Sequence, residues 1–238
     1  MEGIVGNSIY RAAQLGPGFW RIADGLVCFY LFEGRDRALL VDAGFSNGNV
    51  KEFALGLTSL PITLVCTHAD PDHIGGAASF DAVYLHPAEF SRYAALLSES
   101  GGGGAPAMPL WEKDVIGLGG RSFEAVLIPG HTPGSLALLD RENRIIVTGD
   151  TVSSTPVFMF GEGRSVPAII ASLAKLETLA PAFDTVYPSH GDFPLGPDAV
   201  AAQRKAAELL SAGKLEAVEP IIDIPAKMYS HGPASFFF

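Results

Sequence analysis

Thr67-His68-Ala69-Asp70-Pro71-Asp72-His73-Ile74-Gly75-Gly76 sets two imidazoles and two carboxylates within six residues of one another. The run before it, Ile62-Thr63-Leu64-Val65-Cys66, is short, apolar and β-branched, the pattern of a strand covered on both faces, and Pro61 limits its start. The polar cluster therefore sits at the carboxyl end of a strand, where layered α/β proteins collect ligand-binding and catalytic groups. Neutral imidazole nitrogens and carboxylates are good ligands for divalent metals of borderline hardness. The competing reading is a polar turn whose aspartates cap the next helix. A capping turn needs one Asp or Ser and has no use for two histidines.

Three more turns repeat the arrangement of a ligand-type residue just after an apolar strand. Leu127-Ile128-Pro129-Gly130-His131-Thr132-Pro133-Gly134-Ser135 places His131 in a turn stiffened by two prolines and freed by two glycines. Asp150 follows the β-branched run Ile145-Ile146-Val147-Thr148-Gly149, and His190 follows Val186-Tyr187-Pro188-Ser189. Four of the six histidines thus occupy strand-end turns.

Between these turns the chain reads as two series of strands, each followed by helix. Phe19 to Ile22, Leu26 to Phe32 and Ala38 to Val41, separated by turn signals, form a β-meander over residues 8–42. Asn47 to Leu57 reads as the first helix, Gly75 to Ser79 as a short helix start, Ala82 to Leu85 as a strand and Pro87 to Ser98 as a helix with proline at its first position. Gly101 to Gly104 is a flexible loop, short enough to be a flap over a site. The second series runs Ser122 to Ile128, Ser135 to Leu139 and Arg144 to Thr148, then a helix from Pro167 to Leu179, a strand at Thr185 to Tyr187 and a helix from Pro197 to Ala212. Phe236 to Phe238 is a last strand or a packed tail. This order lacks the regular alternation of a doubly wound sheet. It predicts an α/β (α+β) fold, a four-layer αββα sandwich of two mixed β-sheets with helices on the outer faces, formed by residues 1–238 as one domain.

In these motifs the chain resembles the metallo-β-lactamase superfamily of metal-dependent hydrolases. The family pattern is His-x-His-x-Asp-His, then a His in a Pro-Gly-His-Thr-Pro-Gly-like turn, then an Asp in a Thr-Gly-Asp-like turn, then a last His. The members stand here in that order, with the early Val41-Asp42-Ala43-Gly44 segment the family often carries, and the match covers about residues 20–191. Carried over, the resemblance implies a first metal site from His68, Asp70 and His131, and a second from Asp72, His73 and His190, with Asp150 bridging both. Asp42 would orient a ligand imidazole, a role that metal-bound histidine usually needs filled, or would simply end a strand. One departure stands out: Asp70 replaces the second His of the pattern. In the family that His often binds through the ring nitrogen nearer the backbone, so a carboxylate can still reach a similar position. Ligation survives, but a harder, anionic oxygen lowers Lewis acidity and opens the choice of metal toward iron or manganese.

The resemblance implies two divalent ions, zinc first with iron or manganese open because of Asp70, lowering the pKa of a shared water from about 15.7 towards neutrality. The resulting metal-bound hydroxide, steered by Asp72, would attack a small ester, thioester or lactone. No Gly-x-Ser-x-Gly elbow offers a serine nucleophile instead. Two other classes stay open: a non-haem iron oxidoreductase on the same fold, and a non-catalytic metal-binding member. The net charge of −10, with 16 Lys and Arg, works against nucleic acid and favours a small-molecule substrate. The amino terminus shows no secretory signal and no run reaches the ~18 apolar residues of a membrane span, so a cytoplasmic protein is the default expectation. Cys28 and Cys66 lie in apolar runs and read as small buried hydrophobes. His86 reads as a helix-entry residue, His231 as either a lid over the site or surface, and Trp111, Phe158 and Phe160 as pocket wall or packing.

Overall fold

The computed structural model describes residues 4–7, 9–45, 48–99 and 103–238. The chain folds as two compact units, residues 1–125 and 126–238.

In the first unit, β1 (Ile4–Gly6), β2 (Tyr10–Gly16), β3 (Phe19–Asp24), β4 (Val27–Glu33) and β5 (Ala38–Val41) form an antiparallel meander. Strand β4 is an interior strand paired on both sides; Val27 to Phe32 is apolar without interruption, and all six of these residues are buried. After β5 the pairing turns parallel. Helix α1 (Val50–Leu55) carries the chain to β6 (Ile62–Val65), α2 (Pro71–Ile74) and a 3-10 turn at Ala77–Ser79 lead to β7 (Val83–Leu85), and α3 (Phe90–Glu99) leads to β8 (Ala107–Pro109). These crossovers are what parallel neighbours require. The result is one eight-stranded mixed sheet in sequence order β1 to β8.

Helix starts follow local chemistry. The Asn49 side chain accepts the Glu52 amide at 3.0 Å and caps α1. Pro71 and Pro87 take first-turn positions where a missing N–H costs nothing. The sequence reading placed the first helix from Asn47, which lies outside the described residues, as do Gly101 and Gly102 of the expected flap. Strand β8 and the short β9 (Val115–Gly117) were not foreseen, since three-residue edge strands carry too little alternation to register.

Strand β10 (Ser122–Leu127) contains the boundary between the units; within the first, Ser122, Phe123 and Glu124 pair with β9. In the second unit β11 (Leu136–Asp140), β12 (Ile145–Gly149) and β14 (Thr185–Pro188) continue a mixed sheet in the order β14-β12-β11-β10. A further small sheet was not expected: β13 (Val157–Phe158), β15 (Met228–His231) and β16 (Ala234–Phe237) pair in the order β13-β16-β15. It resolves the Phe236 to Phe238 alternative in favour of a strand. Helices α4 (Val166–Leu179) and α5 (Asp198–Ser211) bury Ile169, Leu173 and Leu176, and Val200, Ala206 and Ala207, in this unit's core. Among the described residues no helix is long and apolar enough to cross a membrane.

Candidate metal centre

Register explains why the first group of residues gathers. Val41 of β5 lies beside Val65 of β6, and Val65 beside Tyr84 of β7, all parallel. The residues just past these strands therefore emerge along one sheet edge. Asp42 turns away with φ 68°, a left-handed conformation that Asp tolerates better than most residues. Its fully buried carboxylate accepts from the Thr67 amide at 2.7 Å, from the Thr67 hydroxyl at 2.9 Å and from His73 Nδ1 at 2.9 Å. The Thr67 hydroxyl also lies 3.0 Å from His68 Nδ1. A carboxylate can only accept, so His73 carries its proton on Nδ1. The threonine hydroxyl gives its one proton to Asp42 and accepts from His68 Nδ1. One carboxylate thus fixes the tautomer of two rings whose centroids are 4.0 Å apart, and leaves both Nε2 lone pairs available.

Asp70 stands at the amino-terminal cap position of α2 but makes no capping hydrogen bond, which removes the reading of this turn as a helix cap. Its carboxylate instead meets Arg92 of α3, with Nη2 2.6 Å from Oδ1. The neighbouring peptide is held on both sides: the Ala69 amide donates to Glu89 Oε2 at 3.0 Å and the Ala69 carbonyl accepts from Arg92 Nε at 3.1 Å. Glu89 and Arg92 lie three residues apart and face the same way.

The second unit repeats the device. Strands β12 and β14 run parallel with Val147 opposite Tyr187, so Asp150 and His190 follow adjacent strand ends. His131 projects from the turn between β10 and β11. Its Nδ1 lies 2.9 Å from the Phe158 carbonyl, which can only accept, so this ring also presents Nε2. The preceding Gly130 has φ 145°, and a Cβ there would fall 2.4 Å from the Ile169 amide nitrogen at the start of α4. Only glycine lets the turn approach the helix that closely.

A common spacing appears in both groups. His68 Nε2 lies 3.6 Å from Asp70 Oδ2, and His73 Nε2 3.6 Å from Asp72 Oδ2. Asp150 Oδ2 lies 3.6 Å from His131 Nε2 and 3.4 Å from His190 Nε2. These gaps exceed an ordinary N–H···O hydrogen bond. Two ligand atoms each ~2.05 Å from a tetrahedral ion stand ~3.3 Å apart. The donor set is imidazole nitrogen and carboxylate oxygen, with the outer ring nitrogens of His68, His73 and His131 engaged, so the residues present fit a divalent metal. Each unit holds two histidine–aspartate pairs at this spacing.

Sequence reasoning missed Glu89, Arg92, the Thr67 hydroxyl and the Phe158 carbonyl. No local pattern marks them, because each reaches its partner through tertiary packing. His86 is a helix-entry residue as expected, accepting from the Ala88 amide at 3.3 Å, with Trp111 edge-on at 5.3 Å. His231 lies exposed in β15. Phe158 packs against Phe160 and Phe237, at 5.6 and 5.0 Å between centroids. Cys28 and Cys66 are buried free thiols, and burial pushes the Cys66 thiol well above its ordinary range.

Fold and residues together define an α/β protein with histidine–aspartate pairs at metal-ligand spacing in each unit. The family model of the metallo-β-lactamase superfamily matches residues 24–216, and the chain belongs to that superfamily. Among curated relatives, the acyl-coenzyme A thioesterase MBLAC2 of Gallus gallus is 31% identical over 159 residues, 52% of this chain and 56% of the relative. The hydroxyacylglutathione hydrolase of Francisella tularensis is 27% identical over 168 residues, 70% of this chain and 63% of the relative. The chain thus spans less than two thirds of the length of either. Among solved structures, the metallo-β-lactamase from Erythrobacter litoralis superposes with a TM-score of 0.70 at 19% identity, covering 87% of this chain and 99% of that one.

Proposed function

We propose that the protein is a metal-dependent hydrolase of small acyl thioesters, esters or lactones, with both units acting as one domain over residues 1–238. The observation that carries this reading is the set of four imidazole–carboxylate pairs at 3.4–3.6 Å, with the outer ring nitrogens of His68, His73 and His131 held by groups that orient them. Superfamily membership supports the ligand assignment: His68, Asp70 and His131 for one ion, Asp72, His73 and His190 for the other, and Asp150 shared. Thioesters lead the substrate classes because one relative is named an acyl-coenzyme A thioesterase and another a hydroxyacylglutathione hydrolase.

When bound, the ions supply Lewis acidity and lower the pKa of water from about 15.7 towards 7. The protein's own part is to hold and orient. Asp42 keeps the proton of His73 on Nδ1, and through Thr67 that of His68, so both rings present the Nε2 lone pair. The Phe158 carbonyl does the same for His131. Asp72 is partly exposed whereas His73 is fully buried, so Asp72 is the group placed to accept a hydrogen bond from the attacking water and direct it. Zinc is the expected metal.

Elemental analysis of protein purified without added metal, with a rate assay on thioesters, esters and lactones, tests the proposal. About two zinc ions per chain with thioester turnover is the expected result. Less than one ion, not restored by any divalent metal, would overturn it. Iron without hydrolysis would replace it with the oxidoreductase reading that Asp70 first suggested.

A further inference from the structure

We propose that Arg92 makes Asp70 an electrostatic stand-in for the imidazole that the family pattern has at this position. This rests on the metal reading above. An imidazole ligand is neutral and offers one atom, whereas a carboxylate adds a negative charge and offers two. Arg92 cancels both differences. Its guanidinium, always charged, brings a positive charge 2.6 Å from Oδ1, so the pair together is neutral like the ring it replaces. The ion pair is made at Oδ1, and Oδ2 faces His68 Nε2 at 3.6 Å, so one oxygen is presented where one nitrogen would be.

The fork is fixed rather than incidental. Arg92 donates Nε to the Ala69 carbonyl at 3.1 Å and brings Nη2 into an ion pair with Asp70, so one planar group meets both backbone and side chain of the ligand turn. Glu89, 1% exposed, holds the Ala69 amide from the same segment. The Asp70 side chain is 11% exposed and that of Arg92 39%, so water screens the pair only from the arginine side. Arg92 is therefore a positioning residue for Asp70. It counteracts the loss of Lewis acidity that a bare carboxylate would bring, and it favours zinc over harder metals.

The test is a double-mutant cycle read on metal affinity rather than turnover. Zinc is titrated against a chromophoric chelator into metal-free wild type, Arg92→Met, Arg92→Lys, Asp70→His and Asp70→His/Arg92→Met. Arg92→Met should weaken zinc binding ~10- to 100-fold, the usual effect of losing an outer partner of a ligand. In the Asp70→His background the same change should cost nothing or tighten binding, because the cation there faces a neutral ring. Arg92→Lys, which keeps the charge but not the fork, should lose less than Arg92→Met. An equal loss from Arg92→Met in both backgrounds would overturn the proposal, since it would mean that Arg92 only supports the fold. So would no loss beside Asp70, or equal losses for Lys and Met. Wild type that binds no metal would instead refute the proposed function.

Discussion

Asp42→Asn separates the orientation of a ligand from the presence of a ligand. The asparagine fits the same volume and, like Asp, tolerates the φ of 68°. Its carbonyl oxygen can keep the 2.7 Å bond from the Thr67 amide. Its NH2 group then replaces Oδ2, the atom 2.9 Å from both the Thr67 hydroxyl and His73 Nδ1. Two donors would meet at His73. The side chains of His73 and Asp42 are 0% and 1% exposed, so no solvent relieves the clash. An unrelieved buried donor costs about 1–3 kcal/mol. The ring avoids most of that by moving its proton to Nε2, where it can no longer bind metal. The expected result is metal-free stability within about 1 kcal/mol of wild type, while zinc affinity falls ~10- to 100-fold, equivalent to ~1.4–2.7 kcal/mol. Chelator competition gives the affinity, and the imidazole 15N shifts of the metal-free protein report the tautomer. A variant that keeps zinc affinity within about twofold and His73 protonated on Nδ1 would refute the role assigned to Asp42. Asp42→Ala serves as contrast: it strands the same donors and places alanine at positive φ, adding ~1–2 kcal/mol, so it should be unstable even without metal.

His131→Ala should lose most zinc at one site and most activity while the metal-free fold persists, since the side chain leaves a turn; unchanged stoichiometry and rate would remove it from the ligand set. Phe237→Ala tests the support behind His131: Phe237 is 7% exposed, packs on Phe158 and accepts the Met159 amide through its carbonyl at 2.8 Å. It should cost ~3 kcal/mol in denaturant unfolding and weaken zinc several-fold, and a stability loss with unaltered zinc affinity would show that β16 does not position His131. Alkaline stability follows from two buried phenols. Burial pushes Tyr10 and Tyr93 from 10.0 up to about 12, so above pH 10 the unfolded chain releases protons that the native state keeps. Stability is therefore intact below pH 10 and falls between pH 10 and 12, with a slope of ~1.4 kcal/mol per pH unit for each tyrosine. Tyr93→Phe should flatten that fall, although it also loses the 2.8 Å bond to the Ala105 carbonyl; an unchanged pH slope would count against the assignment.

The sequence by itself determined the strands with strong patterns and the turns that end them. Val27 to Phe32 reads as a buried strand, and Ile62 to Val65 and Ile145 to Thr148 likewise, because short uninterrupted runs rich in aromatic or β-branched residues fit a covered sheet. Ligand-type residues directly after such runs were legible for the same reason, and so was the family. What the sequence did not carry was anything set by contact across elements. Strands β8, β9 and β15 owe their pairing to a neighbouring edge rather than to their own three or four residues. Asp42 could be read equally as a turn residue until its position beside Thr67 and His73 was known, because that proximity comes from the parallel register of β5 and β6. Arg92 carried no signal of its own in the sequence. Only the packing of α3 beside the Ala69 peptide brings its guanidinium to Asp70, and an ion pair that spans two elements leaves no periodic trace along the chain.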